Sequence, residues 1–546
     1  MSPQEQHRPP RPSAPSAAPS VAEQGGPVVV RTTAGRVAGR RTGRVTVFRG
    51  VPYAAPPVGR LRFASPRPPV PWGGVREATA FGPPSLQGDY LPDSAEDSLY
   101  ANIWTPGVKG RRPVLVYIHG GGWLLGAGSE PDYDGARPAD RGDLVVVTFN
   151  YRLGALGWGL HEDLTDPETG SFANWGLQDQ AALLHWVREN AEAFGGDPDN
   201  ITLAGTSAGG SSTWQLSLLP ELRGIIKRIV PISVKHVWAP ASSTTPEESR
   251  TVYERIARRL GTTVPGLREV PAAALRGAWE ETFSGSPTER AVEGWREYQG
   301  PVVDGRWMRG YDCALPTPDV PMMCIHARTE GSFFTTGPGY PFDGPLPADD
   351  AGLREAVRAV LHKGAVKVTD EQVDDCVAFY REALAAGGRP ADPVSVWTEV
   401  WGDALFRYQI VRLAERHARE GSSPQYVMEF AHPVRPPYAG TPHEASSKFL
   451  FGTHTLPANA PVYGDGPLER RVSDTLIDLV ASFARGEAPT SPYAPAWPVF
   501  DPAWPVFDPA GPTALILGGA RVAETGTLSA LHQLRYWDTA DWVPRP

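Results

Sequence analysis

The stretch Gly205-Thr206-Ser207-Ala208-Gly209 constrains the fold more than any other feature of the chain. It follows a strand-like run, Asn200-Ile201-Thr202-Leu203-Ala204, and opens a helix-like one. A serine held at such a strand-to-helix turn is presented at the edge of a sheet as a nucleophile. The pentapeptide alone is weak, because glycine is abundant here and the string arises easily by chance. Its surroundings decide the matter.

Val114-Leu115-Val116-Tyr117-Ile118 and Leu144-Val145-Val146-Val147-Thr148-Phe149 are continuous β-branched runs, expected of central strands covered by helices on both faces. Between Gly176 and Glu192, Leu177, Ala181, Leu184 and Val187 recur at helical spacing, and Gly195-Gly196 ends that helix before the strand at Ile201. Later strands are predicted at Ile225 to Ser233, Val320 to Ala327 and Gln425 to Ala431. Helices are predicted near Glu247 to Leu260, Ala351 to Leu361, Glu371 to Ala386, Val394 to Arg419 and Glu469 to Arg485. Val28 to Val51 alternates apolar and polar residues, as antiparallel strands at a sheet edge do. The whole is an α/β pattern: a largely parallel sheet between helices.

The chain is long, at 546 residues, but α/β enzymes of this size can be single units, and residues 28–546 are expected to form one domain. Residues 1–27, rich in Pro, Ser and Ala, read as a disordered tail. A net charge of -9 with scattered Lys and Arg gives no basic field for a phosphate backbone, so no nucleic acid partner is expected. No apolar run reaches membrane-spanning length, so no membrane partner is expected either. Cys313, Cys324 and Cys376 supply neither a disulfide framework nor metal-ligand spacing, which fits a reducing cytoplasm and no metal or organic cofactor. A tandem heptapeptide, Pro495-Ala-Trp-Pro-Val-Phe-Asp501 repeated at 502–508, is too short for a solenoid unit. It reads as a duplicated surface loop, with an aromatic lid as the alternative.

A serine hydroxyl attacks poorly at neutral pH without a base, an acid that orients the base, and donors for the developing oxyanion. His119-Gly120-Gly121-Gly122-Trp123 directly follows a central strand, where consecutive glycines let backbone amides approach a carbonyl oxygen. The oxyanion donors are therefore expected at Gly121, Gly122 and Ala208. His119 is expected to hold this loop by hydrogen bonds.

Seven ordered matches then identify a resemblance to the type-B carboxylesterases, the family of cholinesterases and bacterial para-nitrobenzyl esterases, over residues from about 28 to 540. They are Phe48-Arg-Gly-Val-Pro-Tyr53; Pro56-Pro-Val-Gly59 with Leu61-Arg-Phe63; Glu96-Asp-Ser-Leu-Tyr-Ala-Asn102; the His119 run; Asn150-Tyr-Arg-Leu-Gly154; Asn174-Trp-Gly-Leu-Gln-Asp179; and Phe194-Gly-Gly-Asp-Pro198. The resemblance implies an α/β-hydrolase fold with a central, mostly parallel sheet, small N-terminal antiparallel strands and helical insertions. It implies that Glu330, in Thr329-Glu-Gly-Ser-Phe-Phe334, is the triad acid and that His443, after Gly440-Thr-Pro, is the base. The order Ser207, Glu330, His443 agrees with that of α/β-hydrolases.

The chain departs from the family at several places. Thr206 replaces a glutamate usual before the nucleophile, so a negative charge beside the histidine is expected to be missing, which argues against cationic substrates. No tryptophan lies between Gly73 and Ile103 to stack on a quaternary ammonium, which argues against choline esters. Ser85 and Ser98 stand where eukaryotic relatives have a disulfide, predicting a loop held by packing. Ser233 stands where a serine often supports the acid, although Ile232 and Val234 replace its usual neighbours. Glu444 occupies a place where glycine is common, and Ser446 one where an acid is common.

The function expected is hydrolysis of a small-molecule, uncharged and largely apolar carboxylic ester by a monomer or homodimer. The same residues would serve transfer of the acyl group to an amine or alcohol in secondary metabolism. A non-catalytic cholinesterase-like binding protein is the remaining class. By resemblance, the triple-glycine loop implies tolerance of bulky, even tertiary, alcohol groups.

Overall fold

The computed structural model describes residues 26–88, 90–234, 244–282, 300–311, 314–337, 346–361, 368–497 and 513–539. The predicted tail up to residue 25 and most of the tandem heptapeptide lie outside the described residues.

Thirteen strands form the sheet: β1 Val28–Arg31, β2 Arg36–Thr42, β3 Val45–Pro52, β4 Val75–Glu77, β5 Tyr100–Thr105, β6 Arg112–Ile118, β7 Val145–Phe149, β8 Gly196–Thr206, β9 Ile226–Ile232, β10 Met322–Ala327, β11 Gln425–Phe430, β12 Thr513–Leu517 and β13 Ala523–Thr527. Their order is β1-β2-β3-β5-β7-β6-β8-β9-β10-β11-β12-β13, with β4 beside β2. The stretch from β7 through β12 is parallel throughout. The β1–β2, β2–β3, β3–β5 and β5–β7 pairs at one side are antiparallel, as is β12–β13 at the other. The predicted central and N-terminal strands are all present. β4, β5, β12 and β13 were not anticipated: β5 overlaps the Glu96 signature, whose polar residues conceal its strand pattern.

β6 from Val114, β7 and the 201–206 end of β8 are buried, because helices cover both faces. The helix Trp175–Asn190 packs on one side and Pro467–Arg485 on the other. Pro246–Arg259 begins with a capping box in which Thr245 and Glu248 satisfy each other's backbone N–H groups. The single helix predicted over 394–419 is instead Pro393–Gly402 and Tyr408–Glu420 joined by a π-helical turn, Asp403–Arg407. An inserted π turn rotates every later side chain relative to the α-helical pattern, which periodicity over the whole run does not reveal.

The C-terminal segment ties this turn down. Arg407 Nη1 donates to Asp403 Oδ1 at 2.8 Å and Arg407 Nη2 to the Ser529 carbonyl at 2.5 Å. Tyr380 donates to Asp403 Oδ2 at 2.9 Å, and Trp537 Nε1 donates to the Tyr380 hydroxyl at 2.7 Å. Among the described residues, no helix is long and apolar enough to cross a membrane.

Candidate active site

The strand register brings sequence-distant loops to one edge of the sheet. Ile118 pairs with Gly205, Thr206 with Ile232, Ile232 with Ile325, and Ala327 with Phe430. The glycine run after β6, Ser207 after β8, Ser233 after β9, Glu330 after β10 and His443 after β11 therefore leave the sheet side by side.

Ser207 caps the helix Ala208–Ser217 at φ 55° and ψ -123°, a backbone conformation rarely held by a side-chain-bearing residue. Its N–H donates to the Ile232 carbonyl at 2.8 Å. The flanking glycines are steric necessities: a Cβ on Gly205 would meet the Gly209 carbonyl oxygen, and one on Gly209 would meet that of Ile118. Ser207 is 6% exposed, so its surroundings are largely shielded from solvent.

Glu330 is fully buried and fully engaged. Its Oε1 accepts from Ser233 Oγ at 2.6 Å and the Ala327 N–H at 2.7 Å, and its Oε2 faces His443 Nδ1 at 2.6 Å. Burial alone would push its pKa up, but His443, Ser233 and the Ala327 amide outweigh this and hold the carboxyl below its ordinary value. His443 Nε2 is buried without a hydrogen-bond partner, and no hydrogen bond joins it to Ser207 among the described residues. The His443 ring is packed by Phe406 at 4.2 Å, Phe334 at 5.4 Å and Phe333 at 6.0 Å between centroids. Phe406 lies in the π turn, and nothing in its local sequence marks it as part of the site.

Gly121 and Gly122 take φ 99° and 63°. Among the described residues, their N–H groups and that of Ala208, in the first turn of its helix, donate to no protein acceptor. His119 does hold the loop. Its Nδ1 bonds the Gly120 carbonyl at 2.9 Å, its ring stacks on Tyr151 at 4.4 Å, and the Tyr151 hydroxyl donates to its carbonyl at 3.0 Å. Burial lowers the His119 pKa to about 4, so it is neutral around pH 7.

Two expectations are refined. The loop of Ser85 and Ser98 is held by more than packing: their hydroxyls are hydrogen-bonded at 2.8 Å, and Ser85 donates to the Tyr151 carbonyl at 2.7 Å. Thr206 is fully buried, and its hydroxyl makes no hydrogen bond to Glu330 or His443. A carboxyl nevertheless stands in this region although the glutamate usual at 206 is absent. Glu444, beside the histidine in sequence, points its carboxyl at the glycine loop: a Cβ on Gly120 would lie 2.7 Å from Glu444 Oε1 and 3.2 Å from Ser207 Cβ. Sequence gave only the hint that a glycine position carried an acid.

Parallel sheet, strained turn and flanking helices together define an α/β-hydrolase. A model of the carboxylesterase family matches residues 26–516. The chain is 33% identical to a para-nitrobenzyl esterase of Bacillus subtilis (strain 168) over 441 residues, covering 78% of this chain and 83% of that protein. It is also 33% identical to a phenmedipham hydrolase of Pseudarthrobacter oxydans over 496 residues, covering 86% and 92%. The solved structure of a carboxylesterase from Geobacillus stearothermophilus superposes with a TM-score of 0.73 at 30% identity, covering 93% of this chain and 99% of that one. The chain belongs to the carboxylesterase family and is a carboxylic ester hydrolase.

Proposed function

We propose that Ser207 is the nucleophile, His443 the general base and Glu330 the acid that orients it. The observation carrying this reading is the chain of hydrogen bonds from Ser233 through Glu330 to His443 Nδ1. It leaves Nε2 unpartnered at the sheet edge where the turn presents Ser207. With Nδ1 committed to Glu330, Nε2 is the atom that takes the Ser207 proton as the hydroxyl attacks the ester carbonyl. The same proton then passes to the leaving alcohol. The unused amides of Gly121, Gly122 and Ala208 receive the negative charge of the tetrahedral intermediate, and removing one such donor costs roughly 3 kcal/mol of barrier. Water, activated by the same imidazole, hydrolyses the acyl-enzyme. No step requires a metal or organic cofactor.

Ser233 serves by fixing Glu330, and Thr206 by packing beneath the glycine loop. The substrate is an uncharged, largely apolar ester, a reading supported by Phe333, Phe334 and Phe406 around His443. The names of a para-nitrobenzyl esterase and a phenmedipham hydrolase among the relatives support small-molecule substrates. Residues 28–546 act as one catalytic domain, supported by a single sheet that recruits strands from residue 28 to residue 527. The free thiols of Cys324 and Cys376 support a cytoplasmic setting.

Hydrolysis of para-nitrophenyl esters from acetate to octanoate, by wild type and by Ser207→Ala, tests the assignment. The variant is expected to lose at least about a thousandfold in kcat. A Ser207→Ala protein that retains wild-type turnover would remove Ser207 from the mechanism.

A further inference from the structure

Glu444 holds φ 70° and ψ -10°, in the left-handed region that favours glycine, at the cap of the helix Ala445–Phe451. Strain of this kind persists where the surrounding structure over-determines it, and it clusters at sites of chemistry. The side chain is placed as unusually as the backbone. Its Oε1 lies 2.7 Å, and Ser207 Cβ and Thr206 Cγ2 each 3.2 Å, from the position a Gly120 Cβ would take, so the missing side chain at Gly120 leaves room for the carboxyl beside the turn.

The carboxyl is poorly served by donors. Among the described residues it receives one long hydrogen bond, from the Tyr133 hydroxyl to Oε2 at 3.4 Å, whereas Glu330 has three partners at 2.7 Å or closer. The nearby charges leave it without a dedicated counter-ion. Lys448 is paired with Asp132 at 2.8 Å, and Glu130 takes the Ala127 amide and the Tyr90 hydroxyl, each at 2.9 Å. Tyr117, Tyr133, Tyr151, Tyr438 and Tyr463 face the same region, but burial raises all their pKa values, so they add no charge. Glu330 is committed on its own side of His443.

We propose that Glu444 is a positioning residue for the reaction. Its carboxylate stabilises the imidazolium that His443 becomes each time Ser207 attacks and each time water attacks the acyl-enzyme. When ionised, a buried carboxyl with no fixed cation of its own gains when a positive charge forms beside it, and His443 is the adjacent residue in the chain. Burial raises the Glu444 pKa, with Asp132 and Glu330 adding to the rise and His443 and Lys448 opposing it, so the carboxylate form gains from any positive charge formed beside it. No step of the chemistry changes: protons move as in the hydrolysis above, and Glu444 neither takes nor gives one.

The inference rests on the hydrolase reading, and two variants separate it from that reading. With para-nitrophenyl acetate, Glu444→Gln is expected to lower kcat about tenfold at the plateau with little change in KM. It should also move the acid limb of the kcat/KM profile to lower pH by about one unit, since the imidazolium loses a stabilising anion. Glu444→Gly, which relieves the backbone and removes the carboxyl, is expected to show the same limb shift with a Tm at or above that of wild type. Unchanged kcat and pH profile in both variants would overturn the proposal. So would a lowered plateau with an unmoved acid limb, which would leave Glu444 a packing role. An inert wild type would instead defeat the hydrolase assignment itself.

Discussion

Ser207 pays for its place at the head of the turn in backbone strain, of order 1–3 kcal/mol at φ 55°, and the contacts around it keep that strain in place. The local string made this residue legible: glycines at 205 and 209 are the residues a tight strand-to-helix turn requires. Glu330 and His443 were legible only through the family pattern, because a glutamate or histidine in a loop carries no local mark. Ser233 shows what geometry adds. Its hydroxyl supplies one of two donors to Glu330 Oε1, so Ser233→Ala is expected to lower kcat by roughly tenfold with KM nearly unchanged. Steady-state kinetics on one para-nitrophenyl ester checks this, and an unchanged kcat would reduce Ser233 to an ordinary strand serine. His119 makes a pH prediction. Its folded pKa of about 4 lies below the unfolded value near 6.5, so between those values the unfolded chain binds the extra proton and stability rises with pH. The contribution is absent as a pH-dependent term above 6.5, and acidification to pH 4 costs about 3 kcal/mol from this residue. His119→Gln should flatten the dependence of Tm on pH within that window, and an unaltered slope would assign it to other groups.

At the scale of elements, the matched signatures prove to be partners in the fold. Arg62 pairs with Glu96 at 2.5 Å, and Arg152 pairs with Asp179 at 2.7 Å, joining segments far apart in the chain. That explains why long strands and loop motifs were legible together while β5 was not: its role is to pair, and pairing is a long-range property. The π turn at 403–407 was hidden for a related reason, since its shift matters only when Phe406 meets His443. The Ser85–Ser98 hydrogen bond at 2.8 Å joins two buried side chains. Changing both serines to cysteine should form a disulfide under oxidising conditions and raise Tm by about 2–5 °C, with the gain abolished by a reductant. Two free thiols after oxidation, by thiol titration, would show that the backbone geometry does not permit the bridge.

For the whole molecule, composition and strand pattern disclosed an α/β sheet but not its order, because the position of β6 between β7 and β8 depends on crossovers that leave no trace in local sequence. That order is what places the glycine run beside Ser207. The tandem heptapeptide at 495–508 adds to the length of the whole molecule. Trp497 of its first copy packs on Tyr426 at 5.5 Å, so one copy already supplies a buried anchor. Deleting residues 502–508 is expected to leave kcat/KM within about twofold and Tm within about 1 °C, as for other tolerated surface insertions. A large loss of activity on bulky esters, with Tm preserved, would favour the aromatic lid.

The tie between Ser529, Trp537 and the π turn bears on how this protein is made. During synthesis Ser207, Glu330 and His443 all leave the ribosome before Ser529 and Trp537, which tie down the turn that carries Phe406. A chain that stops before Ser529 would therefore hold all three proposed catalytic residues beside an untied turn. Such a truncated chain is expected to keep Ser207, Glu330 and His443 yet hydrolyse a para-nitrophenyl ester far more slowly than the full chain.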